Sequence, residues 1–227
     1  MLRFGDEECD FEIEVIPDCE TPTENYPYNQ NTFAKIEELA PLILFYSQMY
    51  GVSPIAVAGS IADEYNTQRG LKGIVDWGQD ILLGQLPNFS IQIDDFFNFE
   101  SKLLNAMHND VGIGNINIET AVSIYNSNVE YFENKNWDYS DIINYLATNE
   151  GAVHIATLVI KRAQNILSQD VSLYPLPLQE AVLMTYYKQG DSYIDRYRAN
   201  GTKSIRPGEG CRLEKQRAQI IKSLYKL

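Results

Sequence analysis

The stretch VSPIAVAGSIADEY, residues 52–65, decides the fold of this chain. Ser53 is a residue type that caps helix N-termini, and Pro54 suits the first helical turn, where its missing N–H needs no partner. We therefore predict a helix from Ile55 to about Tyr65. Its apolar face comprises Ile55, Val57, Ala58 and Ile61. Such a face is typical of a helix packed in a core.

Further helices are predicted on both sides of this one. From Asn31 onward, apolar residues recur at the three-four spacing of one helix face. They are Phe33, Ile36, Leu39, Ala40, Ile43 and Leu44. One later helix is predicted from Ile118 through Tyr131, and another follows Ser140 as its N-cap. A third begins near Thr148 to Gly151. Of the last two, one begins after Pro177 and the other covers CRLEKQRAQIIKSLYKL. The fold class is mainly α with few short strands.

Length and charge limit the possible organisation and partners. The chain has 227 residues, and we divide it into an irregular acidic N-terminal arm, residues 1–30, and one domain, residues 31–227. A net charge of -13 disfavours nucleic acid and anionic membranes as partners. We see no run of about 20 apolar residues, which predicts no membrane insertion, and no classical signal peptide at the N-terminus.

Cysteines and histidines do not form a recognisable metal or redox pattern. Cys9 and Cys19 could form a disulfide in an oxidising compartment, or the cysteines could be free structural thiols. His108 and His154 lie on different predicted helices without an acidic partner pattern, so each is expected to be a surface or a satisfied core histidine. We expect no metal and no cofactor, because neither a zinc spacing nor a nucleotide-binding motif is seen.

Glu64 is the first candidate for chemistry. It follows a core-facing segment, and partial burial raises a carboxyl pKa towards the range of a general acid. Asp76 and Asp80 follow in GIVDWGQD and could supply the second carboxylate of a glycosidase, with Trp77 stacking on a sugar ring. The alternatives are a solvated helix end for Asp63 and Glu64, and loop-solvating aspartates beside a core-anchoring tryptophan.

The run DVGIGNINIETA is the second candidate. Gly114 allows a ligand to approach the backbone closely, and Asn115 can bind a sugar hydroxyl or N-acetyl group. The same residues could equally form a turn that joins two helices.

Taken in order, these motifs resemble the lysozyme-like superfamily, specifically goose-type lysozymes and soluble lytic transglycosylases. The segment VSPIAVAGSIADEY resembles the helix that carries the family's catalytic glutamate, with Glu64 at that position and Tyr65 in place of a serine. GIGNI is similar to the family's second motif, with Asn115 in place of glutamine. Asp76 and Asp80 resemble the aspartate of goose-type lysozymes.

A third motif lies near the C-terminus. TYYKQGDSYIDRY resembles a helix end that carries a tyrosine, a glycine and a later tyrosine, here Tyr187, Gly190 and Tyr197. Lys188 and Gln189 depart from the pattern. The likeness covers roughly residues 40–227.

The resemblance implies cleavage of the β-1,4 bond between N-acetylmuramic acid and N-acetylglucosamine in peptidoglycan, with Glu64 as general acid. It implies sugar binding by Gly114, Asn115, Trp77, Tyr187 and Tyr65. Two alternatives are a lytic transglycosylase that gives anhydromuramic products and a catalytically silent module that binds glycan or a partner protein.

The chain could be a phage endolysin, an antibacterial effector or a domain cut from a larger protein, and we favour the effector. It would be made in the cytoplasm and act in the periplasm or cell wall of a target cell. A secretion carrier and an immunity protein would then be its partners.

Overall fold

A computed structural model describes residues 19, 27–67, 110–133, 135–199 and 205–227. Within these residues it contains eight α-helices, one short 3-10 helix and a two-stranded hairpin. The helices are α1 (Gln30–Tyr50), α2 (Pro54–Thr67), α3 (Ile118–Ser127), α4 (Tyr139–Leu146), α5 (Asn149–Leu167), α6 (Leu176–Gln189), α7 (Asp191–Ala199) and α8 (Cys211–Tyr225). The 3-10 helix is Val129–Tyr131, and the strands are β1 (Asp110–Val111) and β2 (Ile116–Asn117). The prediction of a mainly helical protein is confirmed.

The helix α2 lies at the centre of the fold. Every residue from Ile55 to Glu64 is buried, because α1, α5, α6 and α8 all pack against it. The Ser53 hydroxyl accepts the Ala56 backbone N–H at 3.4 Å, as expected of an N-cap. A helix that is enclosed on all sides can hold polar groups in the core only if each has a partner.

The hairpin lies just before α3. Its strands are antiparallel, and Asp110 pairs with Asn117 while Val111 pairs with Ile116. The turn between them is closed by a hydrogen bond from the Asn115 N–H to the Gly112 carbonyl oxygen at 3.1 Å. The turn prediction for this segment is confirmed, and the hairpin brings Asn115 to the end of α2.

Most of the predicted helices are confirmed, with two corrections at their ends. Ser140 does not cap α4, because Asp138 is the N-cap and forms a reciprocal capping box with Asp141. The helix predicted through Tyr131 ends at Ser127, where the Asn128 N–H bonds to the Tyr125 carbonyl and a 3-10 turn follows. The helix α7 was not among the predictions.

A disulfide joins a residue that precedes α1 to the first residue of α8. Cys19 is bonded to Cys211, with 5.3 Å between their Cα atoms. Both sequence interpretations are therefore wrong for Cys19, which neither pairs with Cys9 nor is a free thiol. The bridge spans 192 residues, and removing a native disulfide typically costs about 2–5 kcal/mol of stability. No helix in the described part of the chain is long and apolar enough to cross a membrane.

Candidate functional site

Two neighbouring carboxylates lie near the C-terminal end of α2. Asp63 has no exposed surface, and Glu64 is 8% exposed. Their interpretation as a solvated helix end is therefore wrong. Because successive helical residues point about 100° apart, Asp63 and Glu64 face different surroundings, although both contact Lys188.

Asp63 is held by three side chains. Arg212 donates from Nε to Oδ1 at 2.6 Å and from Nη2 to Oδ2 at 2.7 Å. Lys188 Nζ lies 2.6 Å from Oδ2, and the Tyr28 hydroxyl donates to Oδ1 at 3.0 Å. Burial raises the pKa of Asp63, but Arg212 and Lys188 outweigh burial and lower that pKa below its ordinary value. Asp63 is thus an ionised group that joins α2, α6 and α8.

Glu64 has fewer partners and the opposite shift. Asn115 donates from Nδ2 to Oε2 at 3.1 Å, and Lys188 Nζ lies 2.9 Å from Oε1. Burial raises the pKa of Glu64, Lys188 opposes that rise, and the negative charges of Asp63 and Asp110 add to it. The net result is a raised pKa, which is the shift that a general acid needs near neutral pH.

Glu64 forms part of the wall of a cavity of about 340 Å³, which is within the usual size of small-molecule sites, about 300–1,000 Å³. Asp110, Arg162 and Asp191 add further charged groups to the wall. Arg162 Nη2 lies 2.7 Å from Asp191 Oδ2, and the Tyr186 hydroxyl donates to Asp191 Oδ1 at 2.7 Å. The cavity therefore offers hydrogen-bonding groups at two places, around Glu64 and around Asp191.

The hairpin and α6 meet beside Glu64. The Tyr187 hydroxyl donates to the Gly114 carbonyl oxygen at 2.7 Å. A Cβ atom on residue 114 would lie only 2.7 Å from that hydroxyl oxygen, so glycine permits this approach. Asn115 has a φ of 50°, a left-handed conformation that asparagine tolerates better than most residues. Gly114 and Tyr187 thereby fix the loop that carries Asn115.

The structure brings together three of the residues that the sequence analysis selected. Glu64, Asn115 and Tyr187 all line the cavity, and the Gly114 carbonyl oxygen accepts the hydrogen bond from the Tyr187 hydroxyl. Tyr65 is partly exposed on α2 and is not among the cavity-lining residues. Asp76, Trp77 and Asp80 lie outside the described residues, as do Cys9 and His108.

Four residues at or directly beside the two carboxylates are not among the candidates named from the sequence. They are Tyr28, Asp63, Asp110 and Arg212, while Lys188 appears there only as a departure from a family pattern. Buried charged residues need partners of opposite charge, so an Asp-Glu pair in an otherwise apolar helix is a signal for buried cations elsewhere. That signal predicts that such partners exist but does not say where they are in the chain.

The chemistry available at Glu64 is proton transfer. Lys188 is itself kept charged, because the attraction of Glu64 and Asp63 outweighs burial and raises the pKa of Lys188. Burial and the negative charges of Glu64 and Asp110 raise the pKa of Tyr187 well above its ordinary value, so its hydroxyl stays protonated. Across the described ranges, no group of three or more His, Cys, Asp or Glu side chains could hold a metal ion.

His154 lies in the core with both ring nitrogens bonded, to the hydroxyls of Tyr50 and Tyr145 at 2.6 and 2.9 Å. The prediction of a satisfied core histidine is confirmed for this residue.

Comparison of the chain with protein-family models, with curated proteins and with solved structures finds no match. Membership of the lysozyme-like superfamily therefore stays a prediction.

Proposed function

We propose that this protein cleaves peptidoglycan glycan strands at the β-1,4 bond between N-acetylmuramic acid and N-acetylglucosamine, with Glu64 as general acid. The observation that carries the proposal is the buried Glu64 carboxyl with a raised pKa on the wall of a cavity. A buried carboxyl whose pKa is raised by desolvation is a candidate functional group, because folding stability alone does not favour it.

In this mechanism, protonated Glu64 gives its proton to the glycosidic oxygen while the bond from that oxygen to the anomeric carbon breaks. Positive charge develops on the sugar, and a water molecule then attacks the anomeric carbon and loses a proton to the carboxylate that orients it. Asn115 holds the Glu64 carboxyl through the 3.1 Å hydrogen bond. The carboxylate that remains after proton transfer is stabilised by Lys188, which lies 2.9 Å away.

A second carboxylate for this reaction is available in the same cavity. Asn115 Nδ2 lies 3.3 Å from Asp110 Oδ2 as well as 3.1 Å from Glu64 Oε2. Asp110 therefore joins Asp76 and Asp80 as a candidate for the group that stabilises the charged sugar or orients the water. If none of them orients a water, attack by the muramyl C6 hydroxyl gives an anhydro product, and the enzyme is a lytic transglycosylase.

The disulfide supports a site of action outside the reducing cytoplasm, because such bonds persist in oxidising compartments. This agrees with the proposed action in the periplasm or cell wall of a target cell. Delivery by a secretion carrier and inhibition by an immunity protein belong to the same proposal.

The Lys188 ion pair favours a second candidate function. A cation 2.9 Å from Glu64 stabilises the carboxylate form and works against proton donation. A catalytically silent module that binds glycan or a partner protein would tolerate such a lysine, whereas a general acid must overcome it.

Mass spectrometry of the muropeptides released from purified peptidoglycan separates these functions. We expect the wild type to release fragments, Glu64→Gln to release at least about a hundredfold fewer, and Glu37→Gln, an exposed control in α1, to match the wild type. Reducing-end muramic acid would identify a muramidase, and anhydromuramic ends a transglycosylase.

Retention of wild type and Glu64→Gln on insoluble peptidoglycan without release of fragments would support the silent module. Absence of both release and binding would contradict cleavage of peptidoglycan and the glycan-binding form of the silent module.

A further inference from the structure

A second cavity, of about 370 Å³, lies away from Glu64 and is lined mainly by aromatic rings. Five rings of its wall are Tyr46, Tyr50, Phe132, Trp137 and Tyr145. The side chains of Phe45, Met49 and Tyr131 also line it and are each about half exposed. The helix α5 contributes to both cavities, with Glu150 and His154 here and with Val159 and Arg162 at the other.

The rings are held in fixed orientations. Tyr46 stacks on His154 with 4.4 Å between ring centroids and 7° between planes. Tyr131 meets Tyr50 at 5.0 Å, and Trp137 meets Tyr145 at 4.8 Å. Aromatic side chains in such contacts present preformed faces and lose little freedom when a ligand binds.

The charge of this cavity is negative. His154 does not offset it, because burial lowers the pKa of His154 to about 4 and both nitrogens are bonded to tyrosines. Glu133 and Glu150 line the cavity and are exposed, and the Tyr46 hydroxyl donates to Glu150 Oε1 at 2.9 Å. Among the described residues that form the wall, none is a lysine or an arginine.

We propose that this aromatic cavity binds an alkylammonium group. Ring faces attract cations electrostatically, most strongly for tryptophan and tyrosine, and two carboxylates add a complementary charge. An anion would be repelled by both. A neutral apolar group would fill the space but would gain nothing from Glu133 and Glu150. This inference does not rest on the proposed activity, since it uses a different cavity.

The test is a titration followed by NMR at the indole N–H of Trp137, which is one of two tryptophans in the chain. Trp77→Phe assigns the two indole signals. The probes are tetramethylammonium chloride and N-acetyl-lysine methylamide, with tert-butanol as a neutral molecule of similar shape to tetramethylammonium. Sodium chloride at equal ionic strength controls for the general effect of salt.

We expect at least one cation to shift the Trp137 signal saturably at millimolar concentration, and tert-butanol to bind at least about tenfold more weakly. Saturation by the lysine derivative would indicate a protein or peptide lysine as ligand, and saturation by tetramethylammonium alone would indicate a quaternary ammonium compound. No saturable shift with either cation, or equal binding of tert-butanol, would overturn the proposal.

Two variants sharpen the test. Glu150→Gln keeps an acceptor for Tyr46 but removes the charge, and Tyr131→Leu keeps apolar volume but removes a ring face. Each is expected to weaken cation binding roughly threefold to fivefold, as is typical of one exposed contact of a cation with a ring or with a carboxylate. Asp170→Asn, an exposed control between α5 and α6, should bind as the wild type does. Unchanged binding in both Glu150→Gln and Tyr131→Leu, with the fold intact by circular dichroism, would contradict the cation site.

Discussion

Each of two sides at the C-terminal end of α2 holds one buried carboxylate, and the pKa values of these two carboxylates are shifted in opposite directions. The supporting side consists of Asp63, Arg212 and Tyr28, and the cavity side of Glu64, Asn115 and Asp110. Lys188 contacts both carboxylates, at 2.6 Å from Asp63 and 2.9 Å from Glu64. The two sides share one helix and one lysine, but the pKa of Asp63 is lowered and that of Glu64 is raised.

The difference comes from the number of strong partners. Asp63 has a bidentate guanidinium as well as the lysine, so its charged form is stabilised in the fold. That contribution to stability is present above the unfolded-state pKa of Asp63 and is lost as the pH falls through its folded-state pKa. For Glu64 the protonated form is favoured by the fold, so its contribution is lost as the pH rises through its folded-state pKa. Asp63 therefore stabilises the protein at neutral pH, and Glu64 does not.

The largest effect is expected on the supporting side. Arg212→Met removes the bidentate partner of Asp63 and should lower the free energy of unfolding by about 3–5 kcal/mol, as is typical when a buried ion pair loses one member. Urea denaturation at pH 7 measures this loss. Arg198→Met, an exposed arginine in α7, should change stability by no more than about 0.5 kcal/mol. A loss below about 1 kcal/mol for Arg212→Met would remove the distinction between the two sides.

An intermediate effect is expected at Lys188, which both sides share. Lys188→Met removes one partner from each carboxylate and should lower stability by about 2 kcal/mol at neutral pH. It also removes the charge that lowers the pKa of Glu64, so that pKa rises further. If Glu64 is a general acid, the alkaline limb of the pH-activity profile should move to higher pH.

The matched control for this profile is Lys215→Met, an exposed lysine in α8, which should leave the alkaline limb in place. A profile that moves to lower pH in Lys188→Met would contradict the assignment of Glu64 as the proton donor.

The smallest effect is expected from Tyr187→Phe. This change removes the hydrogen bond to the Gly114 carbonyl oxygen and should lower stability by about 1 kcal/mol, the usual net value of one such bond. Because the bond fixes the loop of Asn115, release of muropeptides should fall by more than the loss of folded protein alone would cause. Thermal unfolding and the release assay measure the two effects, and Tyr139→Phe, an exposed tyrosine in α4, is the control. Unchanged release would show that the loop does not depend on this bond.

The cavity side can be predicted from the sequence better than the supporting side. Glu64, Asn115 and Tyr187 lie in short motifs whose residue types and order carry information. Asp63 is next to Glu64, but the apolar face of α2 does not show which way Asp63 points, because α2 is buried around its whole circumference. Its partner Arg212 lies 149 residues further along the chain, and only the packing of α8 on α2 brings them together.

Among the helices, too, those with a local sequence signal can be predicted and those without one cannot. Local apolar spacing and the Ser53-Pro54 start predict α1 and α2, whereas α7 is short and polar and lacks such a signal. The Cys19–Cys211 bond was missed because pairing depends on the distance between residues in the fold, not on their separation in sequence.

The difference between the two carboxylates is tested directly by an NMR titration of the side-chain carboxyl carbons of Asp63 and Glu64, assigned with Asp63→Asn and Glu64→Gln. We expect a Glu64 pKa above its ordinary value of 4.5 and an Asp63 pKa below its ordinary value of 3.8. A Glu64 pKa at or below 4.5 would contradict the role of Glu64 as general acid, because the two carboxylates would then both be structural anions and Glu64 would have no advantage as a proton donor.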